Sequence, residues 1–336
     1  MTFNTTILNQ SKILTRNEQT TLDTVFCTII VLLGTTGNSV VIWVAGIRMK
    51  PNVTNIWLVN LAVADLIFCM TRVTSLLSIF FDHWPFGDFL CKFIGFFKYT
   101  NMFCSVFLLA VISVDRVLCV WRPVFTRNRR TLCVARLISL GVWIVAVIFS
   151  SPYFVYRGVY PDKNNVSLCS PKEEVKAKEG NSAKYIYYYN RFFFGFLFPF
   201  LVIFICYALA AVGLRRTRLS GKSRPLRIFA VLVFAFFLCC APYHILGLVK
   251  LKNRNHSAVK LGWNMTSNLA YFNSCVNPVL YFCMGMNLRK CCRQSLLGIF
   301  YRALAEDDQT LSRDGTVEEQ SNFYSTDAGT VHHTPV

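Results

Sequence analysis

The chain has 336 residues, 54% of them hydrophobic and 15% aromatic, and carries a formal charge of +18. So apolar a composition excludes an ordinary soluble domain, and windows of about 20 apolar residues are the length that crosses a bilayer. The positive charge lies in short connectors between such windows, which excludes a nucleic-acid binder, and no nucleophile–base set or metal-ligand spacing marks an enzyme.

Residues 1–23 are a polar segment without the apolar core of a cleavable signal peptide. They hold glycosylation sequons at Asn4 and Asn9. Apolar stretches predict spans at 24–47, 55–80, 89–118, 132–152, 185–213, 226–249 and 261–284. The expected fold class is all-α, a seven-transmembrane helix bundle over 24–284. Arg48 and Lys50, the group Arg122 to Arg136, the group Arg215 to Arg227, and Arg289 to Arg293 all fall on one side of an alternating bundle. The positive-inside rule makes that side cytoplasmic. The N-terminus is then extracellular, the C-terminus cytoplasmic and the protein multi-pass, and the plasma membrane is its expected location.

The second span carries Asp65, the one carboxylate deep in a span, and Arg72 two turns nearer the outside. A charge at the centre of a spanning helix costs about 2.5–3.5 kcal/mol on insertion scales, so such residues face a bundle interior or a wet cavity. The third span has Cys91 at its outer end, then Lys98, Tyr99, Asn101 and Ser105, and Asp115-Arg116-Val117 at its inner end. Cys169, in the loop after the fourth span, shares the oxidising side with Cys91, and a bridge between them is expected. The fifth span has Tyr187, Arg191, Pro199 and Tyr207. The sixth has Pro242, Tyr243 and His244, and the seventh Tyr271, Asn273, Asn277, Pro278 and Tyr281.

Two sites emerge. Asp65 with Asn101, Ser105, Asn273 and Asn277 offers oxygen ligands to a sodium ion; the alternative is an inert polar network that satisfies Asp65. No other cofactor is implied. Arg72, Lys98 and Arg191 lie in the outer halves of spans in which no acidic residue is expected. Unpaired cations in a cavity call for an anion or water. An anionic ligand, peptide or lipid acid, is therefore expected, with Tyr99, Tyr187, Tyr243, His244 and Tyr271 supplying apolar walls. The alternative is that Arg72 and Lys98 snorkel toward headgroups. At the inner end Arg116 can pair with Asp115 or turn toward Tyr207, Tyr281 or a partner. Pro152, Pro199, Pro242 and Pro278 are candidate hinges.

Beyond the bundle, residues 285–300 mix Leu, Ile and Phe with Arg and Lys and predict a short amphipathic helix on the inner membrane surface. Cys291 and Cys292 are palmitoylation candidates there. The tail over 301–336 is polar and reads as disordered, with Ser and Thr near acidic residues as phosphorylation candidates.

Several motifs resemble those of the rhodopsin-like G-protein-coupled receptors. They are Gly37-Asn38, Leu61-Ala62-Val63-Ala64-Asp65, Cys91, Asp115-Arg116-Val117, Trp143, Pro199 with Tyr207, Cys239-Cys240-Ala241-Pro242 and Asn277-Pro278-Val279-Leu280-Tyr281. Within that family the chain is most similar to chemoattractant receptors, formyl-peptide receptors above all. His83-Trp84-Pro85-Phe86-Gly87, Ser223-Arg224-Pro225-Leu226-Arg227 and Phe272-Asn273-Ser274-Cys275-Val276-Asn277-Pro278 carry that likeness. Prostaglandin-D chemoattractant receptors share Pro152-Tyr153-Phe154-Val155 and Pro242-Tyr243-His244. Chemerin and anaphylatoxin receptors belong to the same branch.

The resemblance implies coupling to a heterotrimeric G protein of Gi type, control by receptor kinases and arrestin, and a role in leukocyte chemotaxis. It also implies the Cys91–Cys169 bridge, sodium at Asp65, Arg116 as G-protein contact and Arg191 as ligand contact. Four departures stand out. Tyr99 replaces an aspartate and Tyr187 an arginine of the formyl-peptide receptors, which counts against formyl-methionyl peptides. Cys240 replaces the family's tryptophan switch, and Val117 its Tyr or Cys after Asp-Arg. A non-signalling scavenger of the same ligands is the alternative function. The last span lacks the lysine a retinal receptor needs, and no inverted repeat suggests a transporter.

Overall fold

The computed structural model describes residues 20–81, 83–161, 165–171, 182–217, 223–252 and 257–283. All belong to the first of two units, which divide after Leu288. Asn4, Asn9, the helix expected at 285–300, Cys291, Cys292 and the tail lie outside the described residues.

Seven long helices and one short one account for nearly all of it. In chain order they are α1 (Thr20–Arg48), α2 (Val53–Phe80), α3 (Gly87–Trp121), the short α4 (Pro123–Arg129) and α5 (Leu132–Val155). A hairpin of β1 (Arg157–Pro161) and β2 (Ser167–Pro171) follows. Then come α6 (Ser182–Phe192, a π-helical turn Phe193–Leu197, and Phe198–Thr217), α7 (Ser223–Lys252) and α8 (Ser257–Cys283). Among the described residues six helices are long and apolar enough to cross a membrane: α1, α2, α3, α5, α6 and α7. The seventh, α8, has the length but is diluted by Asn264, Asn268, Asn273 and Asn277. Its polarity is spent inward, as the site below shows.

Local chemistry sets the helix ends and irregularities. Asn52 caps α2, its side chain accepting from the Asn55 N–H at 2.8 Å, and Thr131 caps α5 by accepting from Val134 N–H at 3.3 Å. Pro123 starts α4, where a missing N–H costs nothing. Pro152, Pro242 and Pro278 lie inside α5, α7 and α8. In α6 the wider π turn ends two residues before Pro199, within the stretch where a proline breaks the regular ladder. Gly37 lets α1 approach α8: a Cβ there would meet the Pro278 Cβ at 3.0 Å. Asn38 fastens the same contact by donating to Gly34 O at 2.8 Å and Ser274 O at 2.9 Å.

Helix α3 is the axial element, packing against α2, α5 and α6, while α7 pairs mainly with α8. Trp143 of α5 donates to Asn60 Oδ1 of α2 at 3.0 Å. The hairpin is antiparallel, with Val159 opposite Cys169. The Cys91–Cys169 disulfide ties it to the start of α3. Two more bonds hold it there: Val159 N–H donates to Asp88 Oδ1 at 3.1 Å, and Trp84 N–H to Ser167 O at 2.8 Å.

Candidate functional site

Among the described residues the three outer cations each sit against aromatic rings. Lys98 faces a cavity of about 40 Å³ between α2, α3, α7 and α8, with Tyr99, Tyr243, His244 and Tyr271 in its wall. Its ammonium donates to the Tyr271 hydroxyl and lies 4.7 Å from the centre of that ring and 5.4 Å from that of Tyr99. Arg72 sits against the same Tyr271 ring, at 4.8 Å, and donates to Ser75 Oγ at 3.2 Å. Arg191 is 1% exposed, deeper than its sequence position suggests. Its guanidinium donates to Tyr243 Oη at 2.9 Å and lies 4.9, 4.5 and 5.2 Å from the rings of Tyr188, Tyr243 and Trp263. Tyrosines and one tryptophan therefore stand where counter-ions would, each contact contributing about 0.5–2 kcal/mol. Among the described residues, buried Arg72 Nε and Arg191 Nε have no hydrogen-bond partner.

Tyr187 does not line the cavity. It is a supporting residue: its hydroxyl shares a 2.7 Å hydrogen bond with Tyr99, and its carbonyl accepts from Tyr153 Oη at 3.0 Å. Tyr153 stacks on Tyr99 at 3.6 Å. His244 is buried and stacked on Phe196 at 4.9 Å.

The helices also start earlier than the apolar pattern predicts, which corrects the expectation of outer ends without acids. Helix α1 begins at Thr20 and takes in Asp23, which accepts from Asn268 Nδ2 at 2.6 Å. Helix α3 begins at Gly87 and takes in Asp88, paired with Lys92 at 2.5 Å on the exposed rim. Neither carboxylate reaches a buried cation. Among the described residues Arg72, Lys98 and Arg191 have no carboxylate within ion-pair distance.

The floor of the cavity is the polar cluster. Asp65 is fully buried, and its two oxygens accept from Asn101 Nδ2 at 3.0 Å and Asn277 Nδ2 at 2.8 Å. Ser105 Oγ and Asn273 Oδ1 are buried and, among the described residues, have no hydrogen-bond partner. Asn101, Ser105 and Asn273 line the same cavity as Lys98. Cys240 stands in its wall, so the small thiol leaves the outer cation and the inner cluster in one space. Two orphan oxygens in a cavity wall that also holds Asn101, the partner of Asp65, fit a hard cation such as sodium, which takes oxygen ligands.

At the inner end Asp115 holds two guanidiniums. Arg116 Nη2 reaches Asp115 Oδ2 at 2.5 Å, and Arg130 donates to both oxygens at 2.8 and 3.2 Å. Thr54 Oγ1 accepts from each arginine, at 3.3 and 3.1 Å. Arg116 thus points to Asp115. The hydroxyls of Tyr207 and Tyr281 are buried and, among the described residues, make no hydrogen bond.

Sequence reasoning missed four side chains here. Tyr188 and Trp263 were not singled out, because nothing in their spacing distinguishes an aromatic that faces a cation, and Tyr153 entered only as part of a family likeness. Arg130 read as one more basic connector residue. Only the bend between α4 and α5 brings it back to Asp115.

Comparison with known proteins identifies the family of the chain. The family 7 transmembrane receptor (rhodopsin family) matches residues 37–281. A C3a anaphylatoxin chemotactic receptor of Oncorhynchus mykiss is 40% identical, over 85% of this chain and 80% of its own length. Formyl peptide receptor 2 of Mus musculus is 38% identical, over 88% of each chain. The fMet-Leu-Phe receptor of Homo sapiens is 36% identical, over 85% of each. With the seven helices, the Cys91–Cys169 bridge and these relatives in hand, the chain belongs to the rhodopsin family of seven-transmembrane receptors, in its chemoattractant branch.

Proposed function

We propose that this receptor binds an anionic ligand through its outer end and signals to a Gi-type G protein. One observation carries the reading: the Lys98 ammonium faces a cavity walled by tyrosines, with no carboxylate beside it among the described residues. The relatives' names speak of formyl peptides and C3a, which favours a peptide carboxylate over a lipid acid. Ligand enters from outside and prefers one arrangement of the bundle, and the shift in population is read at Arg116. Receptor kinases and arrestin would then end the signal at the tail. The plasma membrane, with the N-terminus outside, is the location this requires.

The test is a panel of formyl peptides, anaphylatoxin fragments, chemerin-like peptides and acidic eicosanoids, read as cyclic AMP in expressing cells. For whichever agonist scores, Lys98→Gln should lower potency about 10–100-fold, the value of one charge-assisted hydrogen bond. Unchanged potency with unchanged surface level would remove the cationic site. A scavenger is the second reading, favoured by Cys240 at the cavity wall and by the doubly clamped Asp115. Ligand uptake without any fall in cyclic AMP would select it.

Sodium belongs to the same reading. Asp65, Ser105 and Asn273 would hold it, and the bound ion would supply charge to an otherwise uncompensated carboxylate. Sodium chloride should raise the thermal stability of the purified receptor more than choline chloride does, and Asp65→Asn should abolish the difference. Equal stabilisation by the two salts would assign the cluster to a plain polar network.

A further inference from the structure

A second and much larger cavity, of about 510 Å³, lies near the inner end of the bundle. That is within the range of small-molecule sites, about 300–1,000 Å³. Trp57 of α2, fully buried, lies at its back, with Val111 and Val114 of α3, Ile138 of α5 and Phe198 of α6 around it. Val114 and Ile138 are each 40% exposed and Phe198 58%. The cavity therefore opens sideways between α3, α5 and α6. For helices that cross a bilayer, this opening faces acyl chains and not water.

The mouth has a different chemistry. Helix α4 and the turn after it bring Phe125, Thr126, Arg129 and Arg130 to one side. Arg130 is committed to Asp115, which also touches the cavity. Arg129 is exposed and, among the described residues, has no ion pair. An apolar chamber with one available guanidinium at its rim, at the level where the basic connectors meet the inner membrane surface, matches an amphiphile with an anionic head.

We propose that this cavity takes the acyl chain of an anionic phospholipid of the inner leaflet, with the lipid phosphate at Arg129. The neighbouring Arg130 comes within the same field. A phosphate there competes with Asp115 for Arg130 and so reaches the clamp that holds Arg116. The membrane's own acidic lipid thereby becomes a regulator of the inner switch, distinct from any outer ligand.

The test uses the full chain in nanodiscs of phosphatidylcholine doped with a diazirine-acyl phosphatidic acid, or with the same probe on phosphatidylcholine. After irradiation, labelled peptides are located by mass spectrometry. The expected result is several-fold stronger labelling of the segments around Val114 and Ile138 by the acidic probe. Arg129→Gln should reduce it to the level of the neutral probe. Val111→Trp, which fills the chamber, should remove both labels there while labelling at exposed Phe234 and Leu238 of α7 persists. Equal labelling by the two probes, indifference to Arg129→Gln, or displacement of the acidic probe by cholesterol would each overturn the proposal. Arg129 is a surface residue, so its variant decides the headgroup assignment even if Val111→Trp fails to fold.

Discussion

A guanidinium that is 1% exposed, with a single hydrogen bond among the described residues, must be held by something other than water or a carboxylate. For Arg191 that something is the three rings of Tyr188, Tyr243 and Trp263. Planarity makes the arrangement specific to arginine, because a lysine offers a point charge with no face to stack. Arg191→Ala should therefore cost about 2–4 kcal/mol of stability, the sum of lost ring contacts and an unfilled core site. It should be visible as a lower melting temperature of the purified receptor and less protein at the surface. Arg191→Lys should recover little of it. Gly247→Ala should act in the same direction, since its methyl would collide with the Arg191 guanidinium. Lys98→Gln, with two ring contacts to lose instead of three, should lower melting less. If Arg191→Ala melts normally and only loses ligand response, the residue is a ligand contact and not a structural one.

Among the elements, the β1–β2 hairpin depends most on links outside itself. A two-stranded ribbon is marginal alone, and this one is held by Cys91–Cys169, Asp88 and the Trp84 backbone. Cys169→Ser should free it and cost about 2–4 kcal/mol by the loop-closure argument. Ligand response should fall, and hydrogen exchange of the Val159 and Ser167 amides should rise sharply. Unaltered exchange would show that the polar links suffice. The two cysteines were legible in the sequence because topology put both on the oxidising side. So were Asp65 and its amide neighbours, because a buried carboxylate in an apolar run demands partners. The π-helical turns at Ile30–Gly34 and Phe193–Leu197 were not legible, as a shift of one residue in bonding leaves composition unchanged. Nor was the depth of Arg191, for periodicity names the face of a helix but not how far a long side chain folds back. The outer helix ends were misplaced because apolar windows undercount turns that extend past the bilayer into polar sequence, as Asp23 and Asp88 do.

For the whole molecule, outer and inner ends must be coupled through the bundle if binding is to signal. The inner end is latched by Asp115 on Arg116 and Arg130, at 2.5 and 2.8 Å. Asp115→Asn cannot hold two cations, so it should raise basal G-protein nucleotide exchange by roughly 5–150-fold, the usual span of such couplings. Basal exchange equal to that of the native receptor would show that the latch does not set the resting state. At the outer end Arg191 leaves α6 and lodges between Tyr243 of α7 and Trp263 of α8. One side chain thus rivets three helices together near their outward tips. A visitor able to draw that rivet toward itself would not need to push any helix: it would simply withdraw the fastening and let the three tips find a new spacing.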